Sequence, residues 1–256
     1  MASGLDPIKQ FEIHPAFDWM GSFHLFGKEI TFTNSALMMS LAVLLICLFL
    51  FFGTSRKALV PGRLQSVVEI SYEFVANMIR SNAGREGLKF FPFIYALFMF
   101  ILLANLLGLI PFFFTTTSHI IVTAILALAV WFLVILVGLY KHGLKFLKLF
   151  VPSGVPLYVL WFVVILEIIS FASRPISHSV RLWANMLAGH IMLKLFAGFI
   201  IMMGVGLSGL LKIGAIAPAF MTLALTPLEI LVAFLQAYVF AILTSVYLND
   251  ALHPGH

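Results

Sequence analysis

Charge is scarce in this chain. Asp, Glu, Lys and Arg make up 10% of its 256 residues, against roughly 25% in soluble domains. A soluble fold of this length would lack the polar residues to cover its own surface, so the bilayer is the expected solvent. Cysteine is nearly absent as well, and the one thiol, Cys47, excludes an intrachain disulfide. Repeated ten-residue segments of alternating polarity are missing, which argues against a membrane β-barrel. So is any internal repeat, which removes the symmetry usual in inverted-repeat transporters. No Gly-rich phosphate loop or nucleophile motif occurs, so no site for ATP chemistry is expected, and no cofactor.

What is present is apolar. Hydrophobic residues reach 62%, Phe alone numbers 27, and the mean hydropathy is +1.11. The net charge of +5 sits in short loops between apolar runs. That placement points to orientation in a membrane rather than to nucleic acid. Residues 1–30 carry Asp6, Lys9, Glu12, Asp18, Lys28 and Glu29 with no long apolar core. They read as an outer-side segment (1–34) with no cleaved leader, ahead of a single membrane domain over 35–256.

The expected fold is all-α, with about five transmembrane helices and one amphipathic surface helix. Spans are expected over 35–52, 93–114, 120–140, 157–206 and 217–248. Over 63–81, residues Leu64, Val67, Val68, Ile70, Phe74, Val75, Met78 and Ile79 fall mostly on one helical side. That helix reads either as lying on the membrane surface or as packed on protein. The 54–90 and 141–148 loops are basic, the latter through Lys141, Lys145 and Lys148. The positive-inside rule puts both in the cytoplasm, with the N-terminus outside and the C-terminus inside.

The last two runs are too long for an upright span. Fifty residues extend about 75 Å and thirty-two about 48 Å, across a hydrocarbon core of about 30 Å. A strongly tilted antiparallel hairpin is expected, the alternative being a re-entrant segment before Pro175. Glycines 204, 206 and 209 separate the two runs.

Between Leu88 and Leu248 the chain has two acids, Glu167 and Glu229. Arg174, Arg181, Lys194, His178, His190, Asn185 and Gln236 lie in the same half. Ionisable groups in hydrocarbon cost roughly 2.5–3.5 kcal/mol each, so they mark pathways or face partners. At about 100° per residue Arg181 and Asn185 share a face, Glu229 and Gln236 share another, and His190 lies nearly opposite Arg181. Packed antiparallel, the two helices could hold Arg181, Asn185, Gln236, Glu229 and His190 along one polar seam. Glu167, fourteen residues before Arg181, returns to nearly the same face about 21 Å away.

Plainer readings stand beside these. Arg174 and Lys194 also fit simple snorkelling toward an interface. His178, Asn185 and Gln236 fit interhelical hydrogen bonding, and Glu167 and Glu229 fit structural ion pairs. Arg181 keeps its charge at any physiological pH, so its use is electrostatic rather than proton-carrying. His178 and His190, and the tail pair His253 and His256, make poor metal sites.

At RLWANMLAGH (181–190) the sequence resembles the a subunit of F-type ATP synthases, in its alphaproteobacterial and mitochondrial form. NLLGLIPFFFTTTSHI (105–120) and LQAYVFAILTSVYL (235–248) resemble the second span and last helix of that family. The resemblance implies a stationary proton-channel subunit of the cell inner membrane, or of the mitochondrial one, without catalysis of its own. It implies a c-subunit ring and b-type peripheral-stalk subunits as partners. Arg181 matches the arginine that faces the rotor, Asn185 and Gln236 its polar neighbours, His190 and Glu229 two outer proton-path positions, and Glu167 a cytoplasmic one. His178 is a further candidate for the path. An ion-coupled secondary transporter and a structural scaffold are the competing readings.

Overall fold

The computed structural model describes residues 11–15, 23–25, 28–55, 61–110, 113–151, 156–206 and 214–253. Asp6, Lys9, Asp18, Arg56, Lys57, Pro111, Gly209 and His256 lie outside the described residues, as do the side chains of Lys145 and Lys148.

A small hairpin comes first. β1 (Phe23–Leu25) pairs antiparallel with β2 (Lys28–Ile30), a feature the sequence reading did not anticipate. Helix α1 (Asn34–Thr54) follows, and Thr33 caps it by accepting from the Ala36 N–H. Next come α2 (Arg63–Gly87), α3 (Phe91–Leu109), α4 (Ile120–His142), α5 (Leu157–Gly206) and α6 (Ile216–Leu252). Among the described residues, five helical stretches are long and apolar enough to cross a bilayer, with α2 and α3 counted as one. The all-α membrane architecture is therefore the observed one.

The boundaries differ from expectation by more than two residues in three places. α3 stops at Leu109 rather than 114, because Ile110 precedes Pro111 and takes an extended conformation. α2 runs on to Gly87, kinked where Gly84 takes a positive φ of 64° that other residues resist. α6 continues past 248 to Leu252, which puts Asp250 on the helix.

α2 uses only part of its apolar side for packing. Val68, Val75, Met78 and Ile79 are buried, while Leu64, Val67, Ile70 and Phe74 stay exposed. The helix packs on α1, α3 and α6.

α6 is the centre of the molecule, in contact with α2, α3, α4 and α5. Its buried face carries Ala233, Ala237, Ala241, Thr244, Ser245 and Ala251 beside the larger Phe240 and Leu248. Those small side chains recur at steps of three and four, so neighbouring backbones come close where no aqueous hydrophobic effect would draw them together. Asn105 of α3 is fully buried and donates to the Ala233 carbonyl at 3.2 Å. Thr123 of α4 and Ser179 of α5 join hydroxyls at 3.1 Å.

α5 is one helix of 50 residues, unbroken at Pro175. No re-entrant segment interrupts it. A proline inside a helix deprives the carbonyl four residues earlier of its N–H. That carbonyl belongs to Phe171, and the Trp131 indole of α4 donates to it at 3.3 Å.

Candidate functional site

α5 and α6 are antiparallel, since residues rising along α5 meet residues falling along α6. Arg174 meets Asp250, His178 meets Phe240, and His190 meets Glu229. These contacts build two polar clusters at different depths.

The first cluster lies near the start of α5. An Arg174 Nη donates to Asp250 Oδ2 at 2.8 Å, and the other lies 4.0 Å from Glu167 Oε1. The guanidinium also sits over the Phe171 and Tyr247 rings, 5.4 and 4.8 Å from their centroids. Arg174 therefore does not merely reach for an interface; it ties α5 to α6. Glu167 meets Arg174 rather than Arg181. Asp250 was missed by sequence reasoning, because it falls beyond the expected end of α6. Its spacing of 14 residues from Gln236 along a continued helix would have placed it near the same face.

The second cluster lies further along α5. His190 Nδ1 is 4.0 Å from Glu229 Oε1, and both side chains are buried. Neither carboxylate oxygen of Glu229 has a hydrogen-bond partner among the described residues. Gly189 makes the approach feasible, since a Cβ there would lie 2.5 Å from Glu229 Oε1. On its other side His190 Nε2 faces the Thr115 hydroxyl at 3.3 Å, a residue the sequence gave no reason to single out.

A cavity of about 300 Å³ adjoins this pair, lined by Glu229, Gly189, Asn185 and Gln236 among apolar neighbours. It has room for several water molecules. Asn185 is exposed, so the cavity links the buried acid to the outer face of the hairpin. Three members of the expected seam thus share one cavity, and His190 flanks it from behind.

Arg181 faces outward. It is exposed, and no hydrogen bond or ion pair holds it among the described residues. Ser177, Arg181, Asn185, Ala188, Met192 and Leu195 form one exposed stripe at steps of three and four. Lys194 is exposed as well. His178, three residues before Arg181, is buried beside that stripe where α5 meets α6, its ring centroid 3.7 Å from that of Phe240. Among the described residues no three His, Cys, Asp or Glu side chains converge as metal ligands would.

Along α6, Glu229 and Asp250 are separated by about 32 Å, and Arg181 falls between the two clusters on α5. The fold and these clusters define a helical membrane protein that holds ionisable groups at two separate levels along one helix pair. The family model described as ATP synthase A chain matches residues 36–249. The protein named "ATP synthase subunit a" of Maricaulis maris (strain MCS10) is 57% identical, with 98% of each chain covered. That of Nitrobacter winogradskyi is 59% identical over 98% of this chain and all of its own length. That of Rhodopseudomonas palustris (strain BisB5) is 60% identical over 98% of this chain and 99% of its own. The chain belongs to the ATP synthase A chain family, the a subunits of the F-type membrane sector.

Proposed function

We propose that this chain is the stationary proton-conducting subunit of a rotary ATP synthase in a bacterial inner membrane. In this reading, protons pass between the two sides through two half-channels that never meet within the chain. His190 and Glu229 belong to the outer half-channel, with Asn185 and Gln236 beside it. Glu167 belongs to the cytoplasmic half-channel, and His178 lies on the packed side between them. ATP chemistry is left to other subunits, and b-type stalk subunits hold this one still.

The observation that carries the reading is the cavity joining buried Glu229 to exposed Asn185, one turn from outward Arg181. A proton released from the His190–Glu229 pair has a polar route to the outer face of the hairpin. There it neutralises a carboxylate on a neighbouring c subunit, which can then turn into lipid. When that carboxylate returns on the other side, the Arg181 guanidinium favours its ionised form, and the proton leaves toward the cytoplasm. The same fixed charge repels a proton that would pass straight through. Each charge moved across 100 mV is worth about 2.3 kcal/mol, so several must pass for each ATP.

The orientation follows from charge. Lys141 pairs with Glu86 and, with His142, donates to the Leu252 carbonyl. Both basic loops and the end of α6 therefore share one end of the molecule, which the positive-inside rule assigns to the cytoplasm.

The test is Arg181→Ala in the assembled complex. Coupled ATP synthesis stops and passive proton leak through the membrane rises. Normal synthesis by this variant would overturn the mechanism. His190→Ala combined with Glu229→Ala lowers proton flux; unchanged flux removes the pair from the path.

A further inference from the structure

We propose that Thr115 is a positioning residue for the outer proton path: its hydroxyl orients the His190 imidazole so that Nδ1 faces Glu229. The proposal rests on the reading of His190 and Glu229 as path residues. Three groups stand in order, the Thr115 hydroxyl, the imidazole, and the carboxylate, at 3.3 Å and 4.0 Å. An imidazole with one nitrogen engaged by a fixed partner has its ring orientation set by that partner. A hydroxyl suits this task because it donates to a bare ring nitrogen and accepts from a protonated one. His190 can therefore change its protonation without losing its anchor.

The sequence around Thr115 is shaped to hold that hydroxyl in place. Residues Thr115 to Ser118 all carry hydroxyls, and all four are buried. The Ser118 hydroxyl donates to the Thr115 carbonyl at 2.6 Å, which fixes the backbone of the turn. Gly108 of α3 lies against the side chain, and a Cβ there would stand 2.7 Å from Thr115 Cγ2. The methyl group is thus seated on a glycine, and χ1 has little freedom. With the methyl on α3, the hydroxyl points to α5.

Two substitutions separate the hydroxyl from the methyl. Thr115→Val keeps the shape and loses the hydrogen bond; Thr115→Ser keeps the bond and loses the methyl. The measurement is ATP-driven proton pumping by the assembled complex in inverted vesicles, normalised to the amount of complex. Thr115→Val lowers pumping about fivefold to tenfold, the rate equivalent of one hydrogen bond, while Thr115→Ser retains most of it. Gly108→Ala, which displaces Thr115 from α3, reproduces the Val defect. Adding Thr115→Val to His190→Ala brings no further loss, because the residue acts through His190.

Full pumping by Thr115→Val, or a worse defect in Thr115→Ser than in Thr115→Val, would show a packing role and overturn the proposal. So would additive losses in the double variant. Normal pumping by His190→Ala instead overturns the underlying path reading, and Thr115 falls with it. If Thr115→Val does not assemble, Thr115→Ala against Thr115→Ser makes the same comparison.

Discussion

Gly189 sets the distance between an acid and an imidazole. Its missing side chain is the space that Glu229 occupies, with Oε1 2.5 Å from where a Cβ would be. Gly189→Ala forces the carboxylate aside, at a cost of about 1–3 kcal/mol for overpacking. The complex still assembles, and ATP-driven pumping falls; a pumping assay beside a quantitative blot reads both. Single residues were legible in the sequence when their charge stood out against apolar surroundings. Arg181, His190 and Glu229 were singled out in that way, since ionisable groups in hydrocarbon need a reason. Thr115 was not, because a threonine costs little in any environment and its importance lies in what it touches. The role of Arg174 stayed open in the sequence because its two acid partners are seven positions before it and on another helix.

At the scale of elements, two devices hold α5 in place. The Trp131 indole satisfies the carbonyl that Pro175 leaves free. Trp131→Phe keeps the ring packing and removes the donor, which lowers stability by about 1–2 kcal/mol. The shift appears in the thermal unfolding midpoint of the solubilised complex. The second device is the Arg174–Asp250 bond between α5 and α6. A double-mutant cycle with Arg174→Ala and Asp250→Asn gives a coupling of about 1 kcal/mol.

On α2, ahead of the 93–114 stretch expected to span the bilayer, the hydrogen bond from Lys141 holds the Glu86 carboxyl below its ordinary value of 4.5. A depressed carboxyl contributes above its unfolded value and loses that contribution as pH falls through the folded one. The difference in unfolding midpoint between wild type and Glu86→Gln therefore narrows as the pH falls below 4.5. The long helices were legible from hydropathy and length alone. Their ends were less so, because termination depends on local conformation, as at Ile110 before Pro111, or on packing, as where Lys141 and His142 engage the last turn of α6.

For the whole molecule, the outward stripe of α5 is the surface that meets the ring in the proposed function. Small side chains at Ser177 and Ala188 flank Arg181 and Asn185 there, and small residues permit close approach in a membrane. Cysteines placed at Ser177 or Ala188, in a background with Cys47 replaced, form crosslinks to a c subunit in the assembled complex. Cysteines at Ile121 and Ile125, which are exposed on α4, give none. Crosslinking yields on gels decide the matter, and equal yields from both faces would count against the ring contact.

α5 passes Pro175 without a joint and is fastened near both polar clusters. A sideways push delivered at its middle is therefore transmitted along a single stiff rod instead of being absorbed by bending. In the proposed function, elastic energy between successive steps of rotation is then stored elsewhere in the complex, in the parts that turn or in those that tether.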